Sequence, residues 1–374
     1  MSADVAIIGG GLIGLSIALE LRTQGATVRV FDRGDPGRAA SWAGAGMLAP
    51  FTEAIHDPMM QALCQASLAA YPAFVESVRE QSGVDPHLRL DGVLTVATSE
   101  DALRDLHAEQ RLLNAQGVQT TLLDRAQTLA LEPALDGSIT GSLHVFGEGQ
   151  VDNRRLGRAL VGACTTTGVT ISANVKSLRV ECDRRRALGI ATEQGFCAAG
   201  AVINAAGAWS AQIDGVPEAV AARVYPVKGQ MITIEIPSGF MRHVTWVPGA
   251  YFVPREDGRL LVGATTERDA GFDTRVTAAG VESLLRSALR AAPALGSFSI
   301  SEMWAGLRPG TSDGKPLVGR TDLEKYFVAS GHYRNGILLA PITATILADA
   351  LSGRSNDFLA FLSPMRSLPE AASA

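Results

Sequence analysis

The sequence of 374 residues contains little that would support a metal centre, a disulfide framework or a membrane span. Its four cysteines show no CxxC spacing and its six histidines no HxxxH pattern, so we expect no metal site. No stretch approaches the roughly 20 apolar residues that a membrane-spanning helix needs. The chain enters an apolar strand almost at once, so we expect no secretory signal, no membrane association and a cytoplasmic location.

An excess of basic residues is also missing. The 33 Lys and Arg and the 38 Asp and Glu give a formal net charge of −5, which argues against a nucleic-acid partner. Hydrophobic residues make up 47% of the chain and glycine contributes 39 residues. These values are typical of a folded protein with two domains or one large one.

The first segment, VAIIGGGLIGLSIALELRTQGATVRVFD, is the most informative. An apolar strand leads into Gly9, Gly11 and Gly14, and a helix and a second strand follow before Asp32. In a dinucleotide site Gly9 allows the tight turn, Gly11 the approach of the pyrophosphate and Gly14 the close packing of helix and strand. The helix N-terminus attracts the phosphates. The Asp32 carboxylate is placed to accept hydrogen bonds from a ribose and would repel the 2′-phosphate of NADP, which leaves FAD or NAD.

Helix-like and strand-like patterns alternate at the front, centre and end of the chain, and β-rich stretches separate them. We therefore expect a nucleotide-binding domain built from discontinuous segments with a second domain threaded between them. Residues 35–50 are interpreted as a loop. The patterns predict helices at 58–81, 100–116, 149–168, 278–292 and 342–351, and Asp152 and Asn153 are predicted as the N-terminal cap of the helix within 149–168. They predict strands at 92–98, 201–205, 231–236, 250–254, 259–264 and 326–330, a strand and turn at 170–178, and a hairpin of two short strands at 187–199.

Two late segments predict a site for negative charge. Proline is tolerated in a helix only in the first turn, so we expect a helix to begin near Pro341. The backbone N–H groups of residues 334–338 would then point to one place. Such a group of donors is suited to the negative charge that develops on the N1–C2=O edge of a reduced flavin. Arg308 and Arg334 lie in glycine-rich, apolar surroundings, and a guanidinium matches a carboxylate well. We interpret both as buried ligand-binding groups, the alternative being ordinary surface arginines.

The front fingerprint, ASWAGAGMLAP, INAAGAWS, YFVPREDGRLLVGATTE, WAGLRPGTSDGKPLVGR and GHYRNGILLAPITA together resemble the D-amino-acid oxidase family, and most of all its glycine oxidase branch in thiamine biosynthesis. The resemblance implies an α/β fold with a Rossmann-like FAD-binding domain of the GR2 type and an α+β substrate domain with a large antiparallel sheet. We expect the FAD-binding domain at 1–85, 146–222 and 305–374, and the substrate domain at 86–145 and 223–304.

The resemblance further implies non-covalent FAD and oxidative deamination of glycine, sarcosine or small D-amino acids. Hydride would pass from Cα to flavin N5, oxygen would yield hydrogen peroxide, and the products would be an oxo acid and ammonia. We also expect a homo-oligomer. The implied catalytic residues are Arg308, Tyr251 and Arg334, and these residues with Met47 would bind the substrate. The implied FAD-binding residues are Gly9, Gly11, Leu12, Ile13, Gly14, Asp32, Arg33, Ser41, Ala45, Gly46, Met47, Val175, Ala206, Gly207, Trp209, Gly331, His332, Arg334, Asn335, Gly336 and Ile337.

Several alternatives stay open at this stage. A D-amino-acid dehydrogenase of the same fold would pass electrons to an acceptor other than oxygen, and an NAD-dependent dehydrogenase or a nucleotide-binding module would lack a flavin. His332 is interpreted either as a general base or as a packed or solvent-facing side chain. Trp209 and Trp304 are also interpreted as core residues. No residue is assigned to the substrate amine, because Gly249 and Ala250 before Tyr251 carry no suitable side chain.

Overall fold

The computed structural model describes residues 2–53, 57–175 and 178–367. Its strands are Ser2–Ile8 (β1), Val28–Phe31 (β2), Met47–Leu48 (β3), Val93–Ala97 (β4), Thr120–Asp124 (β5), Gly141–Val145 (β6), Gly149–Gln150 (β7), Thr170–Ser172 (β8), Leu178–Asp183 (β9), Arg186–Thr192 (β10), Gly195–Asn204 (β11), Val224–Glu235 (β12), Val244–Val247 (β13), Ala250–Pro254 (β14), Arg259–Gly263 (β15), Ile300–Thr311 (β16), Leu317–Arg320 (β17) and Tyr326–Ser330 (β18).

The helices lie between these strands. They are Leu12–Thr23 (α1), Ala40–Ala43 (α2), Pro58–Ser82 (α3), Glu100–Ala115 (α4), Arg125–Leu131 (α5), Asn153–Thr166 (α6), Glu218–Ala221 (α7), Ala278–Ala291 (α8), Ala340–Ser352 (α9) and Leu359–Leu362 (α10), with short 3₁₀ turns at Gly207–Gln212, Arg268–Ala270 and Pro293–Ser297. Within the described residues, no helix is both long and apolar enough to cross a bilayer.

The first sheet is mainly parallel. Its central order is β17-β18-β11-β1-β2-β8, and the hairpin β9–β10 extends it from β11. Strands β18, β11, β1, β2 and β8 run parallel, so β18, β11, β1 and β2 present their carboxyl ends at one edge. A ligand binds at such an edge in open α/β sheets because the loops that leave the strands meet there.

The second sheet is almost entirely antiparallel. Its order is β16-β12-β15-β14-β13-β4-β6-β5, and only the β13–β4 pair is parallel. Helix α8 packs on this sheet through buried Leu284 and Ala288, which join Ile232, Phe252 and Val262 in one apolar cluster. A separate and larger cluster packs α1, α3, α6 and α9 against the first sheet. The two cores are consistent with the predicted parallel and antiparallel architectures.

Several predicted elements differ from the structure. The segment interpreted as a loop over 35–50 contains α2 and β3, and β3 pairs with β7. The helix predicted within 149–168 spans Asn153–Thr166, and the predicted cap is confirmed: the Asp152 carboxylate accepts the N–H groups of Arg154 and Arg155. Strands β5, β6, β9, β13, β16 and β17 were not predicted, and neither were helices α5, α7 and α10.

Candidate active site

A large cavity lies where the carboxyl edge of the first sheet meets the second sheet, and its volume is about 670 Å³. This volume falls in the range of small-molecule sites. Most of the residues predicted from the sequence line it. They are Gly9, Gly11, Leu12, Ile13, Asp32, Arg33, Ser41, Ala45, Gly46, Met47, Ala206, Gly207, Trp209, Tyr251, Arg308, His332, Arg334, Asn335, Gly336 and Ile337.

Three predicted residues lie outside the cavity wall. A Cβ on Gly14 would lie 1.9 Å from the carbonyl oxygen of Gly9, so Gly14 serves the packing of α1 against the strand turn. Val175 is fully buried, and its N–H donates to the Asp32 carbonyl at 2.9 Å. That N–H is therefore not free for an adenine. Gly331 leads into the loop that does line the cavity, and its φ of 76° suits glycine.

Two of the longer helices, α1 and α9, begin next to the cavity without a side-chain cap. Helix α1 follows Gly11 and helix α9 follows Leu339, and in neither case does the N-cap side chain accept a helix N–H. In contrast, helices α3, α4, α6 and α8 are capped by Asp57, Ser99, Asp152 and Thr277. Uncapped N-termini leave N–H donors and partial positive charge available to a ligand. The cavity therefore has two sites suited to an anionic group.

At the α1 end, the N–H groups of Gly11 and Ile13 have no acceptor among the described residues. The N–H of Leu12 donates to the hydroxyl of Ser41 at 2.9 Å. Ser41 therefore ties helix α2 to the start of α1 and holds the glycine turn open towards the cavity. This donor arrangement fits a pyrophosphate.

Asp32 follows β2 at the same end of the cavity. Its two carboxylate oxygens accept the N–H groups of Gly10 at 2.6 Å and Gly34 at 2.8 Å. Burial raises the pKa of Asp32, while those two bonds and the charge of Arg33 oppose the shift. Each oxygen keeps a lone pair for a further donor, such as a ribose hydroxyl.

Arg33 and Trp209 form a flat wall beside Asp32. The guanidinium carbon of Arg33 lies 3.8 Å from the centre of a Trp209 ring, which is a close cation–π contact. Trp209 is half-buried and lines the cavity, so its interpretation as a core residue was wrong. Trp304 is indeed core: it is buried, and its indole N–H donates to the Ala43 carbonyl at 3.0 Å.

The loop before α9 supplies a second group of donors. Pro341 sits in the first turn of α9, as predicted. The N–H groups of Arg334, Gly336 and Ile337 have no acceptor among the described residues, although all three line the cavity. They are available to a carbonyl oxygen or a developing negative charge.

His332 lies in this loop and is almost fully buried. Its Nε2 lies 3.0 Å from the hydroxyl of Thr343, and burial lowers its pKa to about 3. The imidazole therefore stays neutral near pH 7 and is a poor proton acceptor. Of the two interpretations left open by the sequence, the packed side chain is the one that agrees with the structure.

The segment Ala45 to Met47 crosses the cavity between the two sheets. The buried guanidinium of Arg255, at the end of β14, donates to the carbonyl of Ala45 at 2.7 Å and to the side chain of Asn153 at 3.0 Å. Burial lowers the pKa of Arg255 to about 10. Arg255 thus fixes the segment from the second sheet, and sequence reasoning did not assign it this role.

Arg308 projects from β16 into the far end of the cavity. Its Nη1 donates to the carbonyls of Thr265 at 3.1 Å and Lys228 at 3.4 Å. The guanidinium packs directly against Gly229 on the neighbouring strand, where a Cβ would lie 2.2 Å from Nη1. These contacts fix the guanidinium next to the Tyr251 hydroxyl, which lies within hydrogen-bonding reach of Arg308.

Tyr251 on β14 lies beside Arg308 and is 7% exposed. Its hydroxyl lies 3.9 Å from the sulfur of Met231, a weak acceptor, and within hydrogen-bonding reach of Arg308. Burial raises the pKa of Tyr251, and the positive charges of Arg308 and Arg334 oppose that shift. The phenol therefore stays protonated near neutral pH and can donate to a bound anion.

Arg334 was interpreted as a buried ligand-binding group, but its side chain is 38% exposed and paired with an acid. Its Nε lies 3.0 Å from Oε2 of Glu53 and its Nη2 lies 3.4 Å from Oε1, which makes a two-contact ion pair. Glu53 lines the cavity, and burial raises its pKa while the charges of Arg334 and Arg308 lower it. Glu53 was not among the predicted residues, since the sequence around it carries no recognisable motif.

The comparison with known proteins agrees with this geometry. A family model described as FAD dependent oxidoreductase (DAO) matches residues 4–350. The chain belongs to this family. The site fits the cofactor, because unpartnered N–H groups at two helix N-termini and an acid after β2 are the donors and acceptor that a flavin dinucleotide requires.

Two relatives and one solved structure are similar to this FAD-dependent oxidoreductase over most of its length. A glycine oxidase from Geobacillus kaustophilus is 35% identical over 358 residues, covering 95% of this chain and 94% of that protein. A crystal structure of glycine oxidase from Geobacillus kaustophilus matches with a TM-score of 0.92 at 34% identity, over 98% of this chain and all of that one. A bifunctional ThiO/ThiG protein from Synechocystis sp. is 36% identical over 98% of this chain, which spans 54% of that longer protein.

Proposed function

We propose that this protein is an FAD-dependent oxidase of glycine and other small amines, such as sarcosine and small D-amino acids. It would convert glycine and primary D-amino acids with oxygen and water into the oxo acid, ammonia and hydrogen peroxide, and sarcosine into glyoxylate, methylamine and hydrogen peroxide. The observation that carries the proposal is the position of Arg308 and Tyr251, which project into the cavity that also holds the nucleotide fingerprint. The similarity to glycine oxidases over nearly the whole chain supports the choice of substrate class.

In this proposal Arg308 binds the substrate carboxylate. Its Nη1 is held by two backbone carbonyls, so the remaining donors are oriented before any ligand arrives. Tyr251 donates its hydroxyl proton to the same carboxylate. Met47, which lines the cavity on the segment held by Arg255, faces the substrate from the other side. These contacts orient the substrate so that its Cα–H is presented for transfer.

Bound FAD would supply the two-electron acceptor, held non-covalently, since none of the four cysteines lines the cavity. The loop of residues 334–337 would donate its free N–H groups to the flavin carbonyl edge. His332 is neutral and bonded to Thr343, so we assign it no proton transfer. The substrate amine would lose its proton to water before reaction. The chain then contributes orientation and electrostatic stabilisation more than acid–base chemistry.

We further propose that the two sheets correspond to the two domains predicted from the sequence. Segments 1–85, 146–222 and 305–374 would bind FAD, while 86–145 and 223–304 would carry the substrate sheet. A homo-oligomer, a cytoplasmic location and a role in thiamine biosynthesis complete the proposal. The thiamine role is supported by the similarity to a ThiO/ThiG protein.

A peroxide assay on the purified yellow holoenzyme tests the function, with glycine, sarcosine, D-alanine and D-proline as substrates. We expect peroxide with at least one of them, in equal amount with ammonia when the substrate is glycine or D-alanine and with methylamine when it is sarcosine. The chief alternative is a D-amino-acid dehydrogenase. It would reduce an artificial dye with the same substrates but release no peroxide, and that result would overturn the oxidase assignment. A colourless protein that takes up no FAD would overturn both.

A further inference from the structure

The far end of the cavity contains two arginines and one buried carboxylate. Arg308 projects from the second sheet, and Arg334 comes from the loop before α9. Glu53 contacts Arg334 through both carboxylate oxygens, and its side chain is only 10% exposed. We call these three residues the acid end of the cavity. Their formal charges sum to one positive charge, which matches a single carboxylate.

A second buried acid, Glu148, holds the two residues that precede Glu53. Glu148 accepts the N–H groups of Phe51 at 2.5 Å and Thr52 at 3.1 Å through one oxygen, and its other oxygen contacts the Thr52 hydroxyl. The N–H of Glu53 donates to the carbonyl of Ala49 at 3.1 Å. The turn that leads to Glu53 is therefore held by contacts along residues 49–53. Its carboxylate is a built part of the cavity wall rather than a mobile surface group.

We propose that Glu53 sets the charge of the acid end, so that the enzyme accepts amino acids with one carboxylate and rejects those with two. This inference rests on the proposed function, because it refines the substrate class of the same site. Glu53 neutralises the charge of Arg334 and repels a second carboxylate on the substrate, while Arg308 remains available to the first carboxylate. Without Glu53, two arginines would face the same space and would suit a dicarboxylic amine.

A matched pair of substrates tests the proposal. Sarcosine and iminodiacetate differ only in a second carboxylate, which replaces one hydrogen of the N-methyl group. We expect wild-type holoenzyme to prefer sarcosine in kcat/KM and Glu53→Gln to shift that preference towards iminodiacetate by about 10-fold or more. Glu256→Gln makes the same chemical change at an exposed acid outside this cavity, and it should leave the preference unchanged.

A double variant separates charge from shape. In Glu53→Gln combined with Arg334→Leu, the freed cation is absent, so the gain with iminodiacetate should disappear. A gain that persists in the double variant would overturn the proposal, as would an unchanged preference in Glu53→Gln. If Glu53→Gln instead weakens both amines equally, Glu53 contacts the substrate amine and the proposal is wrong.

Ligand binding distinguishes failure of this inference from failure of the proposed function. Methoxyacetate and diglycolate are the corresponding acids without an amine, and their binding can be followed through the flavin spectrum without turnover. Glu53→Gln should tighten diglycolate relative to methoxyacetate by about 10-fold even if the natural substrate is another amine. If Glu53→Gln does not fold, Arg334→Gln serves instead, since it leaves Glu53 unpaired and should weaken both acids by about 10-fold. Unchanged binding in that variant would overturn the proposal.

Discussion

The two ends of the cavity present different chemical groups: mainly backbone N–H groups at one end and side chains at the other. At the nucleotide end, backbone N–H groups at the start of α1 and the single carboxylate of Asp32 provide the contacts, all within one short stretch of chain. At the acid end, the side chains of Arg308, Arg334 and Glu53 come from three separate parts of the chain, and Tyr251 lies beside Arg308 on a further strand. The nucleotide end therefore forms wherever one short segment adopts the right backbone conformation, whereas the acid end forms only when distant parts of the chain fold together.

This difference predicts that the two ends can be damaged independently. Changes at the acid end should alter the use of glycine and leave FAD bound. Changes at the nucleotide end should weaken FAD and leave the use of glycine intact once FAD is saturating. Glu53 extends the comparison, because its carboxylate is paired with Arg334 at the acid end.

The largest effect is expected from Arg308→Ala. Loss of the charged contact to the substrate carboxylate should lower kcat/KM for glycine by at least about 100-fold. The visible flavin spectrum and FAD content should stay close to wild type, because Arg308 lies away from the fingerprint. Arg308→Lys should recover only part of the activity, since an ammonium lacks the planar fork. Near-normal kinetics in the alanine variant would remove Arg308 from the substrate site.

A smaller loss is expected from Gly229→Ala. The added methyl group would lie 2.2 Å from Nη1 of Arg308, so the guanidinium must move although its own residue is intact. We expect KM for glycine to rise by about 10-fold, with FAD content unchanged. Gly296→Ala is the matched control, because a Cβ there would meet its nearest neighbour at an ordinary 3.5 Å. Equal kinetics for the two variants would contradict the proposed positioning of Arg308.

At the nucleotide end, Asp32→Ala should weaken FAD by about 10-fold, the effect of losing charged hydrogen bonds. With saturating FAD, KM for glycine should remain near the wild-type value. Asp32→Glu keeps the charge and reaches further towards a ribose, so it should retain FAD better than the alanine variant. Titration of apoprotein with FAD measures the first effect and steady-state kinetics the second. If KM for glycine rises as much as the Kd for FAD, the two ends are not independent.

The same contrast explains what the sequence could predict. The strand, glycine turn, helix and acid of the fingerprint obey local rules, and the predicted strand over Tyr326 to Ser330 is also correct. Strand β16 was missed because Gly306, Pro309 and Gly310 interrupt its pattern. A proline is tolerated there since β16 is the edge strand of the second sheet.

Residues whose role arises only from tertiary contacts were beyond sequence reasoning. Glu53 acquires its role because Glu148, nearly a hundred residues away, holds its turn, and because Arg334 reaches it from the other end of the chain. Arg255 likewise contacts the Ala45 carbonyl across the boundary of the two sheets. No periodicity or motif reports such pairings. Arg334 was correctly predicted to line the cavity, but its ion pair was not foreseen.

The smallest effect concerns Glu148, the buried support of the acid end. Burial, aided by the charge of Glu53, raises the pKa of Glu148 to about 7, against an ordinary value of 4.5. The folded protein therefore holds a proton that the unfolded chain releases, so this residue's contribution to stability is present below about pH 4.5 and is lost as the pH rises to about 7.

In Glu148→Gln, Oε1 can still accept the N–H groups of Phe51 and Thr52, and Nε2 can donate to the Thr52 hydroxyl as a protonated acid would. The free energy of unfolding should then lose this part of its pH dependence, a difference on the order of 1–3 kcal/mol between pH 5 and pH 8. Urea unfolding of both proteins across that range measures the difference directly. If the two profiles run parallel, Glu148 is ionised throughout. The turn that carries Glu53 would then rest on a buried charge, and the acid end would hold one more negative charge than its contacts indicate.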